Sequence, residues 1–577
     1  MSIITTLRDW GRSLMQKAAA ATGIAREFKD IFELGGVPAF ARFYREGVFV
    51  WKQLYKGFYK NWHEVHAPTV ADPSARRQMY RLNAPKAVCA ELAGLVWGEQ
   101  AEVHVSRAVG ELPPPPAAAP PSGRGAEDPS PPAAAPPSGR GAEDPLDEFV
   151  QHVLRANAFG EKLQQLIEQG LALGGGAIKV WAEPTPPGAS GATPLGEGGM
   201  GDGYAVRLGY VTADQFVPLS WDNASVFEGV FVSRVAKGKY FYTRLEWHRR
   251  TATGYAVDNE LFRSDMENGV TPGKLQDILG ARVPLSELYP GLEEHTEVPN
   301  TIGLFAYFRT PVANNLDDNS PLGVSIYANA LETLHALDIC YDSFVSEFRL
   351  GKKRIIVPAR CVRQVADPVT GQLRRYFDPS DEVYEAFASD DKDDLRITDS
   401  SVALRVEEHI AAMNAFLSIL CLQLGFSANT FSFDEHGGLK TATEVVSENS
   451  KTFKTIRTVK NQLAPVLERT VRTIIDVAAL YGVTWRGQSV AALAAGGYEV
   501  KITFDDSVTQ DRKTNLNEGV MLVGAGLLSK LTFLTDQKYG IGLTDAEAAE
   551  ELKRIAEEKR ASMAIADVGS FGDSGNE

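Results

Sequence analysis

Between Ser320 and Tyr481 the chain reads as a long helix, a strand-rich insertion, a second long helix, a polar loop and a very long helix. No other feature limits the possible folds as much. Ser320 before Pro321 is a helix-start signal, and from Ile326 through Leu350 the residues Leu331, Leu334, Leu337, Ile339, Tyr341, Phe344, Val345 and Phe348 keep a helical period. At about 1.5 Å per residue, that stretch predicts a rod close to 40 Å long. Gly351 ends it, and KKRIIVPARCV opens an insertion that runs to about Leu404, with turn signals at Asp367, Pro368 and Gly371. The return helix starts near Val406, carries Ile410, Met413, Phe416, Leu417, Leu420 and Leu424 on one side, and stops at Gly425. Thr441 with Glu444 makes a capping box that opens the last helix. Inside it, Pro465 removes one backbone hydrogen bond and predicts a bend.

Two short stretches of this region carry the candidate functional residues. The second half of the insertion is acidic, with Asp378, Asp381, Glu382, Glu385, Asp390, Asp391, Asp393 and Asp394 against the single base Lys392. Such a run is either a solvated face or a surface that meets a partner. The loop FSFDEHGGLK places Asp434, Glu435, His436, Gly437, Gly438 and Lys440 between two helices, and its paired glycines let it flex. Three adjacent acid and imidazole side chains rarely converge on one ion, so a metal site is not the reading adopted.

The rest of the chain is organised around this region. Up to about Trp62, bases alternate with rings, among them Arg42, Phe43, Tyr44, Trp51, Tyr55 and Tyr59. Rings of this kind can stack on bases, but an amphipathic helix packed on a neighbour explains the spacing more simply. Val88, Leu92, Leu95 and Val96 mark a packed helix that starts near Asn83 and Pro85. From 115 to 129 and again from 131 to 145 the chain reads PPAAAPPSGRGAEDP, letter for letter. That composition has too little apolar bulk to order itself and predicts an exposed linker. Phe149, Val153, Leu163, Leu166, Ile167 and Leu171 then mark one or two helices, followed by three glycines at 174–176 and the strand AIKVW. The order helix, glycines, strand, with no Lys-Ser or Lys-Thr, is the reverse of a phosphate-binding loop. YAVRLGYV, VFEGVFVSRV and KYFYTRLEWHR alternate apolar with polar residues, so the region to about residue 310 is expected to be α+β on antiparallel strands.

Charge and cysteine usage narrow the function classes. A net charge of −15 argues against a protein that grips DNA, which needs clustered bases to displace counterions. It suits a conduit along which phosphates slide, although mild acidity is also ordinary. Cys89, Cys340, Cys361 and Cys421 lie far apart and read as free, buried thiols. Arg8, Asp9 and Arg12 occupy the place of a signal peptide's apolar run, and no stretch approaches a membrane span, so a cytoplasmic site of assembly and no membrane partner are expected.

In order and wording several stretches resemble the portal proteins of long-tailed, siphophage-type bacteriophages. They are WKQLYKGFYKNWH with RLNAPKAVCAELAGLVWGE, LALGGGAIKVW with YVTADQFVPLSWDN, SPLGVSIYANALETLHALDICYDSF, GFSANTFSFDEHGGLKTATEV and VKITFDDSVTQDRKTNLNEGVMLVGAGLLS. No single one is diagnostic; the ordered set is. The resemblance implies an α+β, predominantly α fold that assembles as a dodecameric ring with wing, stem, clip and crown. By position the wing is 1–319, with a disordered proline-rich insertion at 111–146, and the stem helices are 320–351 and 406–427 around a clip at 352–405. A tunnel loop at 428–440 follows, then a bent wing helix and strand at 441–511, a crown at 512–560 and a flexible tail at 561–577.

The resemblance further implies a non-enzymatic virion protein at one capsid vertex, through which double-stranded DNA is packaged, retained and ejected without sequence specificity. Its implied partners are the terminase large subunit, the head-tail adaptor, and the major capsid and scaffolding proteins. No cofactor or metal is expected. The alternatives are another structural virion component, or a DNA-processing enzyme that would lack a phosphate loop, a metal cluster and an activated nucleophile.

Overall fold

The computed structural model describes residues 27–28, 31, 34, 36–38, 41–68, 72–98, 101–107, 144–184, 203–222, 225–265, 279–299, 302–317, 320–351, 354–356, 363–366, 371, 373–376, 398–400, 403–428, 430–433, 449–504, 512–536, 540, 548–549 and 551–555. In chain order it begins with β1 (Glu27–Phe28), α1 (Ala41–Tyr55), α2 (Lys60–His63), the ribbon β2 (Glu64–His66) and β3 (Arg76–Gln78), α3 (Ala84–Val96) and β4 (Glu102–Arg107). Next come α4 (Pro145–Ala156), α5 (Phe159–Leu173), β5 (Gly175–Pro184), β6 (Tyr204–Thr212), β7 (Phe216–Asp222), β8 (Ser225–Lys237), β9 (Tyr240–Arg250), β10 (Tyr255–Asp265), β11 (Gly280–Val283), β12 (His295–Val298) and β13 (Phe305–Arg309). After α6 (Leu331–Leu350) lie β14 (Arg354–Ile356), β15 (Arg363–Ala366), β16 (Leu373–Tyr376) and β17 (Thr398–Ser400). The chain continues with α7 (Val406–Leu424), α8 (Ser450–Leu480), β18 (Thr484–Trp485), β19 (Gln488–Ser489), α9 (Val490–Ala494), β20 (Tyr498–Thr503), α10 (Arg512–Gly524) and α11 (Lys530–Thr535).

The alternating runs form the expected antiparallel strands. The larger sheet has the order β1-β11-β10-β9-β8-β7, with β12 on the same edge of β10 as β11; the smaller is β13-β5-β6. Long α8 lies across the smaller sheet, burying Ile456, Val459, Leu463, Leu467, Val471, Ile474 and Ala478 at the 3.6-residue period. Pro465 sits within this 31-residue helix without ending it. α5 covers the same sheet and stops at Gly174, whose φ of +93° suits a residue without a Cβ. β20 pairs with β4, tying the segment after α8 to the one before the proline-rich repeat. The repeat itself lies outside the described residues up to position 143. Its last letters are put to use: the Asp144 side chain accepts from the Leu146 amide at 3.0 Å, and Pro145 opens α4. The linker reading therefore ends two residues earlier than its composition suggests.

The two sheets meet at a buried cluster of charges. Lys179 on β5 donates to both Glu246 oxygens on β9, at 2.9 and 2.8 Å, and Arg244 and His248 reach the same carboxylate at 2.6 and 2.8 Å. Phe231 lies under the Lys179 ammonium. Burial raises the Glu246 carboxyl's pKa, but the His248 hydrogen bond and the surrounding cations outweigh it and hold the group well below its ordinary 4.5. Burial pushes the Lys179 ammonium below its ordinary 10.5.

One boundary differs from the sequence reading. Ser320 and Pro321 do not start a helix: residues 320–325 run without helical structure, a 3-10 turn follows at Ala328–Ala330, and α6 begins at Leu331. Tertiary contacts decide this. The Ile326 amide donates to the Leu171 carbonyl at 3.0 Å, the Thr310 hydroxyl donates to the Val324 carbonyl at 2.5 Å, and a Cβ on Gly323 would collide with the Gly174 carbonyl oxygen. The stretch is a strap pressed on the turn after α5, and the rod is 20 residues, about 30 Å, rather than 40 Å.

Candidate functional site

The helix pair α6–α7 and what it carries form the candidate site. α7 begins at Val406 and ends at Gly425 in the left-handed conformation, as the sequence indicates. The two helices run in opposite directions. At the end bearing the insertion, Arg405 donates to Glu347 at 2.8 and 3.2 Å, and the His409 ring lies 5.6 Å from that of Phe344. Arg405 holds the Glu347 carboxyl below its usual pKa. At the other end α7 packs beside the 3-10 turn before α6 and buries Leu417, Leu420, Cys421 and Leu424. Between them, β14 pairs with β17 and β15 pairs with β16, so the described residues of the insertion form two antiparallel strand pairs.

The pair also exposes apolar side chains. Ile339, Phe348, Leu404, Ile419, Leu422 and Phe433 are each at least 40% accessible, and Leu422 reaches 67%. Scattered exposed apolar groups are ordinary; here six lie on one helix pair and its flanks, with Ile339 and Phe348 on opposite sides of α6 and Ile419 and Leu422 near one another on α7.

Sequence reasoning missed how the pair is anchored. Asp338 and Asp342, one helical turn apart on α6, are both buried. The Asp338 carboxylate accepts from the His63 ring at 3.1 Å and from the Leu82 amide at 2.9 Å. Asp342 accepts two hydrogen bonds from Arg77, at 2.8 and 2.6 Å, and one from the Tyr80 amide at 2.9 Å. His335, on the same face, stacks on Trp62 with ring centroids 4.7 Å apart. The Arg77 hydrogen bonds hold the Asp342 carboxyl below the usual carboxylate range, and burial lowers the His335 pKa. The segment from Trp62 to Leu82 is thus clamped along one side of α6. The available signal was a pair of aspartates four residues apart, on one face of a helix with His335.

The loop residues Asp434, Glu435, His436, Gly437, Gly438 and Lys440 lie outside the described residues, as do Asp378, Asp381, Glu382, Glu385, Asp390, Asp391, Asp393 and Asp394 of the insertion. The capping pair Thr441 and Glu444 and the thiol of Cys361 also fall outside them. What frames the loop is described. The Phe433 amide donates to Asn414 at 3.0 Å, and the Ser427 amide donates to the Thr452 hydroxyl at 2.9 Å. The Thr455 hydroxyl donates to the Gly425 carbonyl at 2.6 Å. The start of the loop is therefore fixed on α7 and on the first turns of α8. Cys89 and Cys421 are buried free thiols, and Cys340 is half-buried. Among the described residues no helix is long and apolar enough to cross a membrane.

No curated relative matches the sequence significantly. The family model for phage portal protein, SPP1 Gp6-like, matches residues 47–564, from within α1 to beyond α11 and through the whole helix pair and its insertion. With most of its length accounted for in this way, the chain belongs to the SPP1 Gp6-like family of phage portal proteins.

Proposed function

We propose that copies of this chain form a dodecameric ring in which α6 and α7 stand around a central channel as the stem, with the strand-built insertion as the clip at one end. As a phage portal protein the chain is a structural component of the virion, and it supplies a passage for the genome. In this reading the exposed apolar side chains of the helix pair are covered by the next subunit. The loop at 428–440, held where it leaves α7, faces double-stranded DNA. Lys440 touches phosphates in passing while Asp434 and Glu435 keep the interaction weak. α10 and α11 belong to the crown, and β1 to β13 with α8 to the wing. The clip docks the terminase large subunit during filling and the head-tail adaptor afterwards, and the wing meets major capsid and scaffolding proteins. The energy for transport comes from the motor, with no ATP hydrolysis in the portal. Assembly takes place in the host bacterial cytoplasm.

One observation supports this reading most: an antiparallel helix pair, tied together at its insertion-bearing end by Arg405 and Glu347, with apolar side chains exposed on more than one side. A complementation experiment with two variants separates the roles. Deleting residues 434–438 is expected to leave ring assembly intact and to abolish DNA filling or retention. Replacing Asp390, Asp391, Asp393 and Asp394 with asparagine is expected to leave rings intact and weaken adaptor binding at least tenfold. Normal packaging by the first, or unchanged adaptor binding by the second, contradicts the role given to that segment.

A further inference from the structure

The first half of α8 carries a charge pattern that neither the core nor the loop assignment uses. From Ser450 to Leu467 it has Lys451, Lys454, Arg457 and Lys460 and no acid; the first carboxylate is Glu468. The chain as a whole has a net charge of −15, so this run is a local reversal of sign. Lys460 lies over the Phe504 ring. Lys451, Lys454 and Arg457 are exposed, and none has a carboxylate partner among the described residues.

The packing of α8 fixes where these three side chains stand. Thr452, Ile456, Val459 and Leu463 are buried, and Thr452 and Thr455 bond to Ser427 and Gly425 at the end of α7. At about 100° per residue, Lys451, Lys454 and Arg457 fall within one third of the helix circumference, on the side away from that buried face. Asn449 precedes the helix, so Lys451 and Lys454 occupy its first turn and a half, where the helix dipole favours acids over bases. Three exposed cations placed against the local field, in one line over two turns and without a carboxylate partner among the described residues, present a row that an external anion can neutralise. Phosphates of a duplex supply anions at regular spacing, and the line starts eleven positions after the end of the loop at 428–440.

We propose that Lys451, Lys454 and Arg457 form a phosphate-binding track on α8, which duplex DNA touches where it passes the loop. The proposal rests on the portal reading and deepens it. It places sequence-independent interactions on a rigid helix, whereas Lys440 would supply them from the loop. Weak, repeated interactions of this kind steady a moving duplex without arresting it.

The test uses the full chain, with a 30-base-pair duplex as probe and fluorescence anisotropy across a range of salt concentrations. Wild-type rings are expected to bind with a salt dependence, and Lys451→Gln, Lys454→Gln, Arg457→Gln together are expected to lower the magnitude of the log–log slope by about 2 to 3, near 0.9 for each phosphate no longer neutralised. Lys451→Arg with Lys454→Arg and Arg457→Lys should keep the wild-type slope. An unchanged slope in the triple Gln variant overturns the track, as does absence of binding by wild-type rings at the lowest salt. Loss of rings in the Gln variant, with rings retained in the charge-preserving one, also overturns it and reassigns the stripe to an acidic face of the neighbouring copy. If the wild-type chain forms no rings at all, the portal architecture itself fails, which is a distinct result.

Discussion

Replacing Asp342 with alanine is expected to speed hydrogen exchange at the Tyr80 amide by about 30- to 100-fold, a local loss of about 2–3 kcal/mol. The substitution removes both Arg77 hydrogen bonds and leaves the Tyr80 amide without its acceptor. Asp342 is 7% exposed, so water replaces the missing acceptor poorly. Asp342→Asn retains an acceptor oxygen and should fall between the two. Because Asp338 still holds the Leu82 amide and His63, the clamp should loosen at one end only. Exchange at Leu82 should change less than at Tyr80. Equal, unaltered exchange at both amides would mean that the clamp does not hold this segment on α6.

The second large effect is expected at the junction of the two sheets. Glu246→Ala leaves the Lys179 ammonium, 14% exposed, without its carboxylate in a pocket it shares with Phe231 and Arg244. Breaking a buried pair from one side costs about 3–5 kcal/mol, and the urea midpoint at neutral pH should drop accordingly. The double variant Lys179→Met, Glu246→Leu should recover part of the loss, because it removes the stranded charge as well. Acid has the same target. The folded chain holds the Glu246 carboxyl below the 4.5 of a free glutamate, so its contribution is complete above that pH and declines as the pH falls further. The wild type should therefore lose more stability than Glu246→Ala when the pH is lowered from 5 to about 3. Parallel losses in the two proteins would remove Glu246 from the acid response.

These two sites also show what a sequence conveys and what it withholds. Period and alternation are local, so α7, α8 and the strands β6, β8 and β9 can be read directly from their apolar residues. Pairings between distant segments leave no local trace. Arg77 and Asp342 are 265 positions apart, and nothing near either one announces the other. Glu246, Arg244 and His248 do share one face of β9 by their even spacing, but the lysine they surround comes from a different sheet. The start of α6 departs from its sequence signal for a related reason. Ser320 and Pro321 carry a valid start signal, and the backbone there is claimed instead by Thr310 and Leu171. The family resemblance is legible because it rests on an ordered set of segments, and the match over residues 47–564 spans that set. The loop and acidic residues assigned to DNA and partners are proposals from their position between these elements.

Electron microscopy of the purified full-length chain in negative stain tests the central claim most directly. Closed rings with a stain-filled centre and a narrower projection on one side are the predicted class averages, with dodecameric symmetry in end views. Solid monomeric particles without an aperture, persisting as protein concentration is raised, would contradict the assembly of α6 and α7 around a channel.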